Sequence, residues 1–230
     1  MLINDQSVSN NAAPYFGQHA EGQCYDSQPQ GGHMTKGEQT RRKIVACAAP
    51  MFNQRGYEGS SLALLMEATG LEKGCIYRHF TSKEEIAAEA FDYSWNAAWE
   101  TRMQHVEEAA TGLGKLKQFI ANFIEYRSPV EGGCPLLNTA VDSDDGNPVL
   151  RDRAAKALRS WTVRLQAFVK QAVKAGETRP GVDPKAVSTL VVASLEGASM
   201  MARIEGNREA LRRVHEHLNQ YIDREIAAAR

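Results

Sequence analysis

Neither lysine nor arginine occurs in the first 35 residues, and no apolar core of a secretory leader follows, so a signal peptide is not expected. No run approaches the roughly 18 uncharged apolar residues of a membrane-crossing helix. The nearest, Val187 to Ala202, is interrupted by Glu196 and by several small residues. Cysteine is sparse: Cys24, Cys47, Cys75 and Cys134 show no CxxC and no Cys/His ligand spacing, which argues against a disulfide framework and against a zinc site. Reduced thiols in the cytoplasm, with no metal and no cofactor, are the expectation. What is present is ordinary for a globular chain. Hydrophobic residues make up 43% and charged residues 24% of 230 residues, enough for one large domain or a small one joined to a larger.

The formal net charge of −1 conceals an uneven distribution. Residues 1–35 carry Asp5, Glu21 and Asp26 and no base. Residues 36–83 carry eight bases against four acids, and the remainder is slightly acidic. A small basic module on an acidic body suits a polyanion-binding head, although a solvated basic surface has the same composition.

Residues 1–33 are rich in Asn, Gln, Ser, Gly and Pro without an apolar period, so residues 1–35 read as a flexible tail. From Thr40 the period is helical, with Ile44, Cys47, Ala48, Met51 and Phe52 on one face and Gly56 as a stop; Pro50 predicts a kink or break near residues 46–50. Ser60 or Ser61 can cap a second helix over about 62–69, ended by Gly70, and a third spans about 73–80. Ser82 to Glu85 reads as a capping box opening a long fourth helix through Trp95 and Trp99 toward Glu108. Further helices are expected at about 113–128, after Pro135, and at 148–175, 184–205 and 207–228. The fold class is all-α. Asp142, Asp144 and Asp145 beside Gly146-Asn147-Pro148 read as a turn and helix cap, not a metal loop.

Two short helices around a glycine turn form a helix-turn-helix layout, whose second helix enters the DNA major groove. Phe52-Asn53-Gln54-Arg55-Gly56-Tyr57, Met66 to Gly74, Ile76-Tyr77-Arg78-His79-Phe80 and Ser82-Lys83-Glu84-Glu85 follow in order. On these blocks the chain resembles the TetR family of bacterial transcriptional regulators. Gly132-Gly133-Cys134-Pro135-Leu136-Leu137-Asn138 also resembles a motif of one branch of it. The resemblance implies a DNA-binding domain over 36–96 and a helical effector-binding and dimerisation domain over 97–230. It places Ser60 at a phosphate-contacting cap, Lys73, Gly74 and Cys75 at the tip of the recognition helix, and Tyr77, His79 and Lys83 on the DNA backbone. Chemistry agrees independently: phenol, imidazole, hydroxyl and ammonium groups engage phosphate oxygens, and Arg78 offers a fork to guanine. Tyr77 and Phe80 also suit a core, Lys83 a solvated helix start, and Cys75 a small filler.

The implied partners are operator DNA, a small-molecule effector and a second copy of the chain, with no membrane. The function implied is a repressor released by its effector from a palindromic operator, and not an enzyme. For the dimer interface the apolar stripes point to Val187, Leu190, Val191, Ser194, Ala198 and Met201, and to Leu211, Val214, Leu218, Tyr221 and Ile222. Trp99, Phe123, Cys134, Asn138 and Trp161 are candidate effector contacts. A rival reading is a small helical thiol enzyme or redox sensor, in which a helix start at Pro135 depresses the pKa of Cys134.

Overall fold

The computed structural model describes residues 34–143 and 146–229, and residues 1–33 of the expected tail, Asp144 and Asp145 lie outside them. The fold is all-α, with no strand among the described residues beyond one antiparallel bridge between Thr178 and Ala227. The helices are α1 Lys36–Arg55, α2 Leu62–Thr69, α3 Lys73–Ile76, α4 Lys83–Met103, α5 Gly112–Glu125, α6 Pro135–Ser143, α7 Pro148–Lys174, α8 Pro184–Glu205 and α9 Glu209–Tyr221. A 3-10 turn, Val106–Glu108, follows α4, and a π-turn, Ile222–Ile226, extends α9.

Local chemistry sets most of these boundaries. Thr35, expected in the tail, instead caps α1 in a reciprocal capping box with Glu38. The expected break at Pro50 does not occur, because α1 runs through it to Arg55. Ser82 caps α4 through the Glu85 N–H at 3.1 Å, and Asn147 caps α7 ahead of Pro148. Gly70 closes α2 in the left-handed conformation at φ 67°, which a side chain would resist. The third helix is shorter than its apolar spacing predicts: only Lys73–Ile76 is α-helical, and Tyr77 to His79 continue as tight turns.

The helices bury two main cores. In the head, Ile44, Ala48, Leu65, Ile76, Phe80 and Ile86 join α1 to α4, and full burial of a side chain such as Phe80 contributes about 1.5–3 kcal/mol. In the body, Leu116, Phe119, Trp161, Leu165, Leu195 and Leu218 join α5, α7, α8 and α9. α4 belongs to both, and it passes unbroken across residue 96, where the sequence suggested a domain boundary. α8 alone among the described helices is long and apolar enough to cross a membrane. One of its faces instead packs into the body, through Val187, Val191, Leu195, Ala198 and Ala202.

Candidate nucleic-acid interface and the seam behind it

The α2–α3 pair presents its polar side outward. Lys73, Gly74, Tyr77 and Arg78 are exposed, and Cys75 and His79 are half-buried. Ile76 and Phe80, between them in sequence, are buried. The turn therefore anchors itself by two apolar residues and offers the rest to a partner. Lys73 Nζ lies 5.9 Å from the centre of the Tyr77 ring, and Lys83 Nζ lies 4.2 Å from that of Tyr57.

Ser60 departs from expectation. It is completely buried, and its hydroxyl donates to the Gly56 carbonyl at 2.7 Å and to the Met51 carbonyl at 3.3 Å. It neither caps α2 nor reaches a phosphate. Ser61, exposed, accepts from the Leu64 N–H at 3.2 Å and is the cap. Arg41 on α1 is a strut within the head. Its guanidinium pairs with Glu85 at 2.7 Å and with Glu89, donates to the His79 carbonyl, and lies 4.0 Å from the Phe80 ring centre. The Glu85 carboxyl is thereby pulled down to about 2, first by the Thr81 N–H, then by Arg41 and the Thr81 hydroxyl. Lys43 is likewise occupied, donating to the Thr69 carbonyl at 2.8 Å.

Behind the head, the end of α1 is tied to the body by side-chain amides. Asn138 Nδ2 donates to the Asn53 backbone carbonyl (3.0 Å), to Asn53 Oδ1 (2.9 Å) and to the Gly132 carbonyl (2.7 Å). Asn53 in turn donates to the carbonyls of Glu131 (2.8 Å) and Gly133 (3.2 Å). Gly132 is required there. At φ 110° a Cβ would lie 2.8 Å from Asn53 Nδ2 and 2.9 Å from its backbone. Asp142 adds a third tie, accepting the Tyr57 N–H at 2.7 Å. Asn138 is thus committed to the seam instead of being free for an effector.

The remaining candidate effector residues are packed on one another. Trp161 is fully buried, with ring centres of Phe123, Phe119 and Trp95 at 5.6, 6.0 and 6.1 Å; Trp99 joins through Trp95 and Phe119, each at 5.8 Å. The buried guanidinium of Arg102 sits among them, 4.3 Å from the Phe123 ring centre. Arg102 donates to Cys134 Sγ at 3.3 Å, and Cys134 donates to Glu196 Oε1 at 2.9 Å. Arg102 Nη1, Glu196 Oε2 and Trp161 Nε1 find no hydrogen-bond partner.

These contacts disfavour the thiol reading. Burial raises the Cys134 pKa to about 11, with Glu196 adding to the rise and Arg102 opposing it. Burial raises Glu196 as well. The dipole of the nine-residue α6 is outweighed. Cys75 and Cys134 are free thiols, whereas Cys47 is disulfide-bonded, against the expectation of reduced thiols throughout; Cys24 lies outside the described residues.

The expected dimer residues divide sharply. Val187, Val191, Ala198, Leu211, Leu218 and Ile222 are buried within the chain itself, so they cannot line a surface. Val214 and Tyr221 pack partly against the same core, and Ser194 is half-buried. Leu190 and Met201 are exposed. With Ala193, Gly197 and Ile204 they form a second apolar stripe on α8, turned away from the core, on which Ile204 is 78% exposed. Asn53, Arg102 and Glu196 were not among the sequence candidates, whereas Ser61 was one of the two caps the sequence offered. Only Glu196 left a signal, as a lone acid in an apolar stretch.

Comparison with known proteins adds to this geometry. Residues 44–90 match the family described as bacterial regulatory proteins, tetR family, and residues 112–218 match the tetracyclin repressor-like C-terminal domain. A TetR transcriptional regulator of Chloroflexus aurantiacus J-10-FL, known from its crystal structure, is 40% identical and superposes with a TM-score of 0.82, covering 85% of this chain and 100% of that one. The transcriptional repressor DhaR of Mycobacterium sp. (strain GP1) is 27% identical over 173 residues, 74% of this chain and 86% of its own length. The A-factor receptor protein of Streptomyces griseus is 26% identical over 177 residues, 76% of this chain and 59% of its own.

Proposed function

The chain belongs to the TetR family of bacterial transcriptional regulators, and from that premise we propose that it is a homodimeric repressor that binds a palindromic operator and is released by a small molecule. The observation that carries this reading is the pairing of a short exposed recognition turn, Lys73 to Arg78, with an unburied apolar stripe on α8. One recognition element so short reads few base pairs. Two of them, held by α8 and α9 packed against their symmetry mates, read two half-sites. Arg78 and Lys73 face base edges in this arrangement, while Tyr77, His79 and Lys83 hold phosphate.

The names of the relatives support the rest: one is a repressor and one a receptor. Effector binding acts as a population shift, favouring a spacing of the heads that no longer fits successive grooves. Regulation in this form needs no catalysis, and it takes place in the cytoplasm, where bacterial DNA lies. Selection of genomic fragments by the purified chain, with its mass measured by light scattering, tests the reading. A dimer that enriches two-fold symmetric sites is expected. A monomer, or a dimer that enriches only asymmetric sites, would overturn it.

A further inference from the structure

Between head and body lies a cavity of about 450 Å³, within the size range of small-molecule sites. Its apolar wall is shared: Phe52 comes from α1, Tyr57 from the loop after it, Phe91 from α4, Leu137 from α6, Leu150 from α7 and Met200 from α8. Most polar groups at its edge already have partners. Asn53 and Asn138 bond to each other, Asp142 accepts the Tyr57 N–H, and Gln54 donates to Glu131 at 2.9 Å. Arg203 differs. Its half-buried guanidinium makes no ion pair or hydrogen bond among the described residues, and Nη1 lies 3.1 Å from where a Cβ on Gly133 would be. A smaller void of about 30 Å³, enough for a single water, adjoins the same arginine, Leu137, Asn138 and Met200.

We infer that this cavity binds a small carboxylic acid with a hydrocarbon or aryl tail, its carboxylate on Arg203 and its tail against Phe52, Phe91, Leu137 and Leu150. Arg203 offers one half-buried guanidinium with no partner among the described residues, which matches one negative charge; Arg55 at the rim is exposed, and the Asp142 carboxylate beside it disfavours a second negative charge. A dianion would leave charge unpaired against apolar walls, and a cation would oppose Arg203. The planar fork of arginine suits a carboxylate in two parallel bonds. Resting on the effector-released reading above, the inference gives the acid a route to the DNA. Because head and body each supply part of the wall, an acid that fits better when α1 moves off α6 draws the head away from its seam at Asn53 and Asn138.

The test is calorimetric titration of the full chain with octanoate and 4-phenylbutyrate, using octanamide as the uncharged match. Two variants accompany it: Arg203→Gln, and Met200→Trp, which fills the cavity from an exposed position. Melting temperature and dimer mass confirm that both are folded. An acid should bind the wild type, with octanamide and each variant weaker by about tenfold or more. Failure of both acids to bind, or equal binding by wild type and both variants, would overturn the site. Operator affinity measured alongside separates the two proposals: intact operator binding without acid binding removes the site and leaves the repressor, whereas acid binding without any operator binding does the reverse. Acid binding that leaves operator affinity unchanged removes the induction route proposed for the site.

Discussion

Asn138 in α6 holds Asn53 in α1 by both its backbone carbonyl (3.0 Å) and its side-chain oxygen (2.9 Å), across 85 residues of sequence. The pair ties the end of α1 in the head to α6 in the body. Replacing either residue by Ala strands buried polar groups of the Gly132–Gly133 loop and should lower stability by about 1–3 kcal/mol. A double-mutant cycle in urea should show a coupling of about 0.5–3 kcal/mol between them. Additive losses would mean that the two amides act independently.

Ser60 and Ser61 should separate cleanly. Ser61→Ala removes a helix cap and costs about 1 kcal/mol. Ser60→Ala, deep in the head, should lower the melting temperature while leaving operator affinity of the folded protein unchanged. A tenfold loss of DNA binding by folded Ser60→Ala protein would restore it to the interface.

On the recognition turn, Arg78→Ala should cost about 1–3 kcal/mol of operator binding and relax specificity at one base pair per half-site. Lys83→Ala should weaken all sequences alike and lower the slope of log affinity against log salt by about one. Binding assays across a salt series, with cognate and scrambled duplexes, distinguish the two patterns.

For the dimer, Ile204→Glu and Leu190→Glu place charge on the outward stripe and should yield folded monomers with weakened operator binding. Leu218→Glu places it in the core of the chain and should unfold the body instead. Sedimentation combined with circular dichroism reads both outcomes, and dimers that survive both outward substitutions would locate the interface elsewhere.

Acid should loosen the head. The Glu85 pKa is about 2 in the fold, against about 4.3 for an unperturbed glutamate. The folded value is depressed, so the stabilisation is complete above about pH 4.3 and is lost as pH falls toward 2. Glu85→Gln should flatten that part of the stability profile. At the other end of the scale, Cys134, with its pKa near 11, should resist iodoacetamide at pH 8 until the chain is unfolded, while half-buried Cys75 reacts first. Mass spectrometry of the alkylated peptides reports the order.

Periodicity and capping are local properties, and they were legible in the chain. The helical class, the boundaries of α7 and α8 to within a residue, the cap at Ser82 and the exposed positions Lys73, Tyr77 and Arg78 follow from residues only a turn apart. Local spacing could not say which face of a helix turns inward. α8 is apolar on two sides, and only packing against α7 and α9 decided that Val187, Val191 and Ala198 are core while Leu190, Met201 and Ile204 remain outside. The same holds for polar groups. Arg102 and Glu196, 94 positions apart in the sequence, meet at Cys134 because the fold brings the end of α4 and the middle of α8 to the start of α6, and burial there reversed the pKa shift that a helix N-terminus alone would cause. Asn53 and Asn138 each sit in a recognisable motif, but nothing local pairs them, since an amide's partners are set by whichever backbone carbonyls the folded chain brings within 3 Å.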